Sequence, residues 1–330
     1  MKTKCLVAAL CTAMAVGIAL AEDPASRPVR ARKARPAQSQ PANSEDFPGA
    51  VNEVYKKAGD VELKVHIYNP PGHKATDKRP AIVFFFGGGW LHGSARQFVP
   101  QCQYFASRGM VAITADYRVY ERHHAMIADC TADAESAIRW VRANATRLGI
   151  DPDRIASSGG SAGGHLAAAV GTLDDMTGDK DKSVSFRPNA MILFNPGVDL
   201  TRDEPAPDTP AKKRFNLLAR LGAKAEDLSP ADHVKAGLPP TIIFHGKNDS
   251  AIPYATVETF TEAMKKAGNK CELVGFEGQG HGFFNYSPKG NKYYDETLRL
   301  ADRFLASLGW LKGEPTIGKD SKEPPTTHSE

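Results

Sequence analysis

The feature that most constrains this chain is a glycine-studded turn, Gly159-Gly160-Ser161-Ala162-Gly163. Residues Ile155–Ser158 before it read as a buried strand, and Ala162–Val170 after it read as a helix. The turn fits G-x-S-x-G, in which a serine sits on a strained strand-to-helix corner. Its glycines have a steric purpose. At Gly159 and Gly163 a side chain would meet the neighbouring strand or helix where the corner is tightest. Such a corner lifts the Ser161 hydroxyl above the carboxyl edge of a sheet, where α/β folds bind ligands. The new helix's N-terminus also favours developing negative charge there. Ser161 is therefore the candidate nucleophile, weighed against a plain glycine turn packed tightly on a sheet.

The rest of the pattern supplies the sheet. Val61–Tyr68 alternates apolar and polar residues, as a half-buried antiparallel strand does, and pairs with the shorter stretch Asn52–Tyr55. Ala81–Phe86, Val111–Ala115, Ile155–Ser158, Ala190–Phe194, Thr241–Phe244 and Leu273–Phe276 are continuously apolar or nearly so, the mark of strands covered on both faces. Helical stretches alternate with them at about 96–108, 129–144, 162–170, 253–267 and 293–308, with Asp129 as the expected N-cap of its helix. The expectation is an α/β fold, a mostly parallel eight-stranded sheet with helices on both faces. The longest gap, Phe194 to Thr241, contains Asp203–Pro207 and a helical piece Phe215–Leu221, and reads as a lid-like insertion before the catalytic acid.

Outside that region the composition shifts. Lys2 and Lys4 precede an apolar or small run from Cys5 to Leu20, and Ala19-Leu20-Ala21 offers a signal-peptidase site, so residues 1–21 read as a signal peptide. Export to the periplasm or the extracellular space follows, with no stable membrane insertion after cleavage. Residues 22–46, rich in Pro, Ala and Arg, read as a disordered linker, 47–312 as a single catalytic domain, and 313–330 as a disordered tail. The formal charge of +4 loses two lysines with the leader, which gives no reason to expect a nucleic-acid partner. Cys102, Cys130 and Cys271 remain after cleavage, and buried free thiols are the expectation for them.

Two further regions complete a site. Phe84–Phe86 leads into Gly87-Gly88-Gly89-Trp90, whose amides are free to approach a substrate oxygen. The backbone amides of Gly88, Gly89 and Ala162 are the candidate oxyanion hole. A phosphate cradle fits poorly, because no lysine follows the glycines. Downstream, Asp249 in His245-Gly246-Lys247-Asn248-Asp249 ends a late strand, and His281 in Gly280-His281-Gly282 follows the last one. His281, on a glycine-flanked loop after the last strand, falls in the order Ser…Asp…His, and Asp249 is preferred over Asp232 or Glu277 as its partner. His245 and His165 read as structural, and His123, His124 and His233 as surface residues. Metal hydrolysis fits poorly, since there is no H-E-x-x-H pattern; no metal and no cofactor is expected.

Together Phe86–Trp90, Asp116-Tyr117-Arg118, the glycine elbow and the acid/base positions resemble the hormone-sensitive-lipase-like branch of the α/β-hydrolases, close to bacterial and acetyl-xylan-esterase-like esterases. The resemblance spans roughly residues 50–310. It departs at Phe86, where the branch usually carries a histidine before the glycines. What it implies is an α/β-hydrolase fold and a serine carboxylesterase acting on short acyl esters of a small-molecule or carbohydrate substrate, without a cofactor. A peptidase of the prolyl-oligopeptidase type and a non-catalytic hydrolase-like binding protein are the alternatives.

Overall fold

A hairpin begins the fold: β1 (Val51–Ala58) and β2 (Val61–Tyr68) pair antiparallel across a tight turn. β1 lies at the sheet's edge, only Tyr55 of it is buried, and a bulge interrupts its register between Val54 and Lys56. The computed structural model describes residues 47–177, 183–201 and 217–318, all in one unit. The expected signal peptide, the linker to residue 46, Asp203–Pro207, Phe215 and the tail beyond 318 lie outside the described residues.

After the hairpin, strands and helices alternate. They run as β3 (Arg79–Phe85), α1 (Val99–Ser107), β4 (Val111–Ala115), the short α2 (Tyr120–His123), α3 (Ile127–Ala143), β5 (Ile150–Gly160) and α4 (Ala162–Thr172). Then come β6 (Ala190–Phe194), the short α5 (Ala225–Leu228), β7 (Thr241–Gly246), α6 (Tyr254–Lys266), β8 (Cys271–Phe276) and α7 (Lys292–Ser307). The eight strands form one sheet in the order β1-β2-β4-β3-β5-β6-β7-β8. β2 is antiparallel to β1 and β4, and every pair from β4 to β8 is parallel, as the sequence pattern predicts.

The central strands are apolar because both of their faces are covered. Every residue of β3 from Pro80 to Phe85 is buried, as is all of β4 and β6. Successive side chains of a strand point to opposite faces, so such runs need helices on each side. Against one strand group α3 and α4 pack together; α1 and α7 are joined by Tyr104 Oη, which donates to Asp302 Oδ2 at 2.6 Å. Ala137, Ile138, Val141 and Ala145 form the buried stripe of α3 and its exit.

Two boundaries differ from expectation. α3 starts at Ile127 with Met126 as N-cap residue, and Asp129 sits inside the first turn, where its Oδ2 accepts the Met126 N–H at 2.9 Å. A carboxylate there still satisfies an amide that the helix leaves open, so the capping chemistry is kept and its position moves. Past residue 312 the described chain runs on to Gly318, with Pro315 buried and Arg108 Nη2 donating to the carbonyls of Lys312 and Gly313 at 3.0 and 3.2 Å.

Candidate active site

Four strand ends converge on one edge of the sheet. β5 delivers Ser161, β3 the glycine loop, β7 Asp249 and β8 His281. Ser161 has φ 56° and ψ −120°, a left-handed conformation that L residues adopt at a cost of about 1–3 kcal/mol. Surrounding bonds impose it: the Ser161 N–H donates to Phe194 O at 2.9 Å, and Ser161 O accepts from His165 N–H at 2.9 Å. The small neighbours are obligatory. A Cβ on Gly159 would run into the Gly163 carbonyl, and one on Gly163 into the Phe85 carbonyl.

His281 bridges the other two candidates. Its Nε2 lies 2.8 Å from Ser161 Oγ, and its Nδ1 lies 2.8 Å from Asp249 Oδ2. Asp249 is held on both oxygens, because Oδ1 accepts the amides of Ala251 and Ile252 at 2.8 and 3.0 Å. Burial opposes its charge, but the hydrogen bond and charge of His281 and those two amides outweigh it, holding the carboxyl down to about 2. A charged carboxylate at Nδ1 fixes the imidazole with its acceptor nitrogen, Nε2, toward the serine.

The glycine loop borders the serine closely. A Cβ on Gly87 would lie 3.4 Å from Ser161 Cβ and 2.9 Å from Gly160 O. The Gly87 amide is taken by Gln97 Oε1 at 2.6 Å, whereas Gly88 and Gly89 follow in positive φ, 121° and 63°. Gly88 has no room for a side chain, since a Cβ there would strike the His92 carbonyl. Phe86, in place of the usual histidine, stacks on Tyr117 with ring centroids 4.0 Å apart, and Tyr117 Oη donates to Phe86 O at 2.7 Å. An aromatic stack thus anchors the base of the loop.

Of the remaining sequence candidates, His245 borders Asp249, its Nε2 3.4 Å from Oδ2, and the others lie elsewhere. His245 is buried on β7, its Nε2 bonds Ile252 O at 2.9 Å, and burial lowers its pKa. His165 bonds Leu228 O at 2.8 Å, and burial lowers it to about 4. His123, expected at the surface, is half-buried and its Nδ1 accepts the Val119 amide at 2.9 Å. Glu277 pairs with Lys247 at 2.5 Å, and Asp232 sits on an exposed turn. Cys102, Cys130 and Cys271 are buried free thiols. Among the described residues no cluster of three or more His, Cys, Asp or Glu is placed to hold a metal.

Sequence reading missed Asn195. It follows β6 with φ 42°, is fully buried, and its Nδ2 donates to Asp249 Oδ2 at 2.5 Å. Gln97 was missed too. Neither carries a motif, and both depend on which strand ends become neighbours.

The sheet order and the strand-to-helix elbow at Ser161 define an α/β-hydrolase. The chain belongs to the BD-FAE family, whose sequence model matches residues 65–264, and it lies in the hormone-sensitive-lipase-like branch of esterases. It is 31% identical to esterase LipC of Mycobacterium tuberculosis over 63% of this chain and 54% of that protein. Carboxylesterase NlhH of the same organism is 28% identical over 69% of this chain and 73% of that one. The chain spans about half the length of several curated relatives it matches, LipC among them. The apo structure of Thermogutta terrifontis esterase 2 superposes with a TM-score of 0.76 at 52% identity, covering 82% of this chain and 98% of that one. Structures of the same esterase with propionate bound and with butyrate bound match with TM-scores of 0.75.

Proposed function

We propose that this chain is a serine carboxylesterase that hydrolyses short-chain acyl esters, acetyl groups on polysaccharides among them, through an acyl-enzyme intermediate. The observation that carries this reading is the unbroken line Ser161 Oγ, His281 Nε2, His281 Nδ1, Asp249 Oδ2, with both contacts at 2.8 Å. In it, His281 Nε2 takes the Ser161 proton as Oγ attacks the ester carbonyl, and Asp249 stabilises the imidazolium. The amides of Gly88, Gly89 and Ala162 receive the oxyanion; each such donor lowers the barrier by about 3–4 kcal/mol. His281 then gives its proton to the leaving alcohol; a water deprotonated by the same nitrogen attacks the acyl carbonyl, and that proton returns to Ser161 Oγ as its bond to the acid breaks.

The short-chain preference draws on the propionate and butyrate bound to the Thermogutta terrifontis relative. The polysaccharide substrate draws on the family resemblance and on export, which the stretch Lys2–Ala21 supports. N-terminal sequencing of protein recovered outside the cytoplasm should begin at Glu22.

The test compares p-nitrophenyl acetate, butyrate and octanoate with acetylated polysaccharides and a peptide p-nitroanilide. Acetate and butyrate should be cleaved fastest, acetate should be released from the polymer, and Ser161→Ala should lower kcat by about 10⁴-fold or more. Preference for octanoate would sink the chain-length assignment. Faster turnover of the anilide would replace the esterase by a peptidase, and a Ser161 inert to fluorophosphonate would make the chain a binding protein.

A further inference from the structure

Three side chains grip the loop Phe86–Gly89 from outside. Tyr117 Oη donates to Phe86 O at 2.7 Å, Arg220 Nη1 donates to Gly89 O at 3.0 Å, and Gln97 Oε1 accepts the Gly87 N–H at 2.6 Å. Gln97 differs from the others because its amide is used at both ends. Its Nε2 donates to Asn285 Oδ1 at 2.8 Å, a contact between residues 188 positions apart. Asn285 then donates to the Gly282 carbonyl twice, through Nδ2 at 2.9 Å and its own N–H at 3.1 Å. Gly282 directly follows His281.

An unbroken line of hydrogen bonds thus joins the amide before the candidate oxyanion donors to the carbonyl after the candidate base. Its far end is anchored as well. Asn291, the N-cap of α7, donates from Nδ2 to the carbonyls of Phe283 and Asn285, both at 2.7 Å.

The sheet alone leaves the two loops unconnected. β3 and β8 are separated by β5, β6 and β7, so no backbone ladder joins the loops that follow them. The glycine loop is intrinsically soft, because glycine restricts the backbone least. Ester hydrolysis, however, needs the oxyanion donors and the proton-carrying nitrogen at fixed positions around the same carbonyl. A primary amide suits the junction, since it accepts from Gly87 with its oxygen and donates to Asn285 with its nitrogen.

Resting on the reading of Ser161, His281 and the glycine amides as an esterase site, we infer that Gln97 and Asn285 are positioning residues. They form a strut that sets the oxyanion loop against the histidine loop. Neither touches the reacting atoms; both act through Gly87 and Gly282.

Kinetics and amide exchange test this together. In Gln97→Ala and in Asn285→Ala, kcat for p-nitrophenyl acetate should fall about 10- to 100-fold while KM stays within about threefold. The double variant should be no worse than the poorer single, because either cut severs the same line. In Asn285→Ala, amides of the 84–92 segment should exchange faster although residue 285 lies on another loop, while β5 keeps its protection as an internal reference for folding. Asn285→Asp still accepts from Gln97 Nε2 but has no side-chain donor for the Gly282 carbonyl, so it should recover the 84–92 protection only in part. Multiplying losses in the double variant, or an unchanged 84–92 segment in Asn285→Ala, overturns the strut. The exchange measurement needs no turnover, so a wild-type chain inactive on every ester would sink the esterase reading while exchange still decides the strut.

Discussion

Asn195 shows how much of the site rests on side chains that touch no substrate. Its left-handed φ of 42° turns the chain after β6, and this turn brings its Nδ2 to 2.5 Å from Asp249 Oδ2, the oxygen that also faces His281 Nδ1. A buried donor on that oxygen favours the charged carboxylate and restrains its rotation. Replacement by most residues would confuse backbone strain with the lost bond. Asn195→Gly avoids this, because glycine accepts φ of 42° without strain. A hydrogen bond to a charged group contributes about 1.5–3 kcal/mol, so kcat/KM on p-nitrophenyl acetate should fall about 10- to 100-fold. Steady-state kinetics beside a urea melt would show this, and a loss below twofold would mean that Ala251, Ile252 and His281 hold Asp249 unaided. Ser161 could be found from sequence because the glycines around it are a steric requirement written in adjacent positions. Asn195 could not, since its role exists only once β6 and β7 are neighbours.

At the scale of elements, α3 carries an acid whose charged form the fold disfavours. Glu135 is fully buried, and Oε2 accepts the amides of Met176 and Thr177 at 2.8 and 3.1 Å. Burial raises its pKa, the nearby Asp175 charge adds to this, and the two amides and Arg139 offset only part, leaving it at about 8. The folded value lies above the ordinary 4.5, so the folded state binds the proton more tightly than the unfolded chain. That contribution to stability is full below about 4.5 and is lost as pH rises through about 8. Glu135→Gln cannot ionise and should escape the loss. Its stability relative to wild type should grow by at least about 1 kcal/mol between pH 5 and pH 9 in urea melts, and a difference flat with pH would refute the buried acid. The same helix shows the limits of local reading. Its buried stripe of Ala137, Ile138 and Val141 was legible as a period, as were the apolar runs of β3, β4 and β6. Its start was not, because Asp129 satisfies the Met126 amide equally well from within the first turn. β1 extends to Ala58 although its sequence marks only Asn52–Tyr55, since an exposed edge strand needs few apolar residues.

On the scale of the whole molecule, the site is assembled from residues 87 to 291, so it exists only while the last helix stays docked. α7 supplies Asn291, which anchors the loop after His281, and Tyr293, whose Oη accepts from Gln279 Nε2 at 3.0 Å on the loop before it. What docks α7 is a buried ion pair. Asp302 is fully buried and receives Tyr104 Oη at 2.6 Å, Arg108 Nε at 2.5 Å and Arg108 Nη2 at 3.1 Å, all from α1 or its C-cap. Arg108 Nη2 also reaches the carbonyls of Lys312 and Gly313, so a single guanidinium ties together α1, α7 and the chain beyond it. Removing one partner of such a pair leaves a buried, uncompensated charge and typically costs about 3–5 kcal/mol. Asp302→Ala should therefore lower the unfolding free energy by that amount with an unchanged urea m-value, the signature of a cooperative loss rather than a looser denatured state. Activity measured in dilute buffer, where the variant remains folded, should retain its wild-type KM. In increasing urea, activity should disappear along the same transition as tryptophan fluorescence, because α7 carries both the dock and the anchor of the histidine loop. A destabilisation below about 1 kcal/mol would show that apolar packing of Leu298, Phe304 and Leu305 holds α7 without the pair.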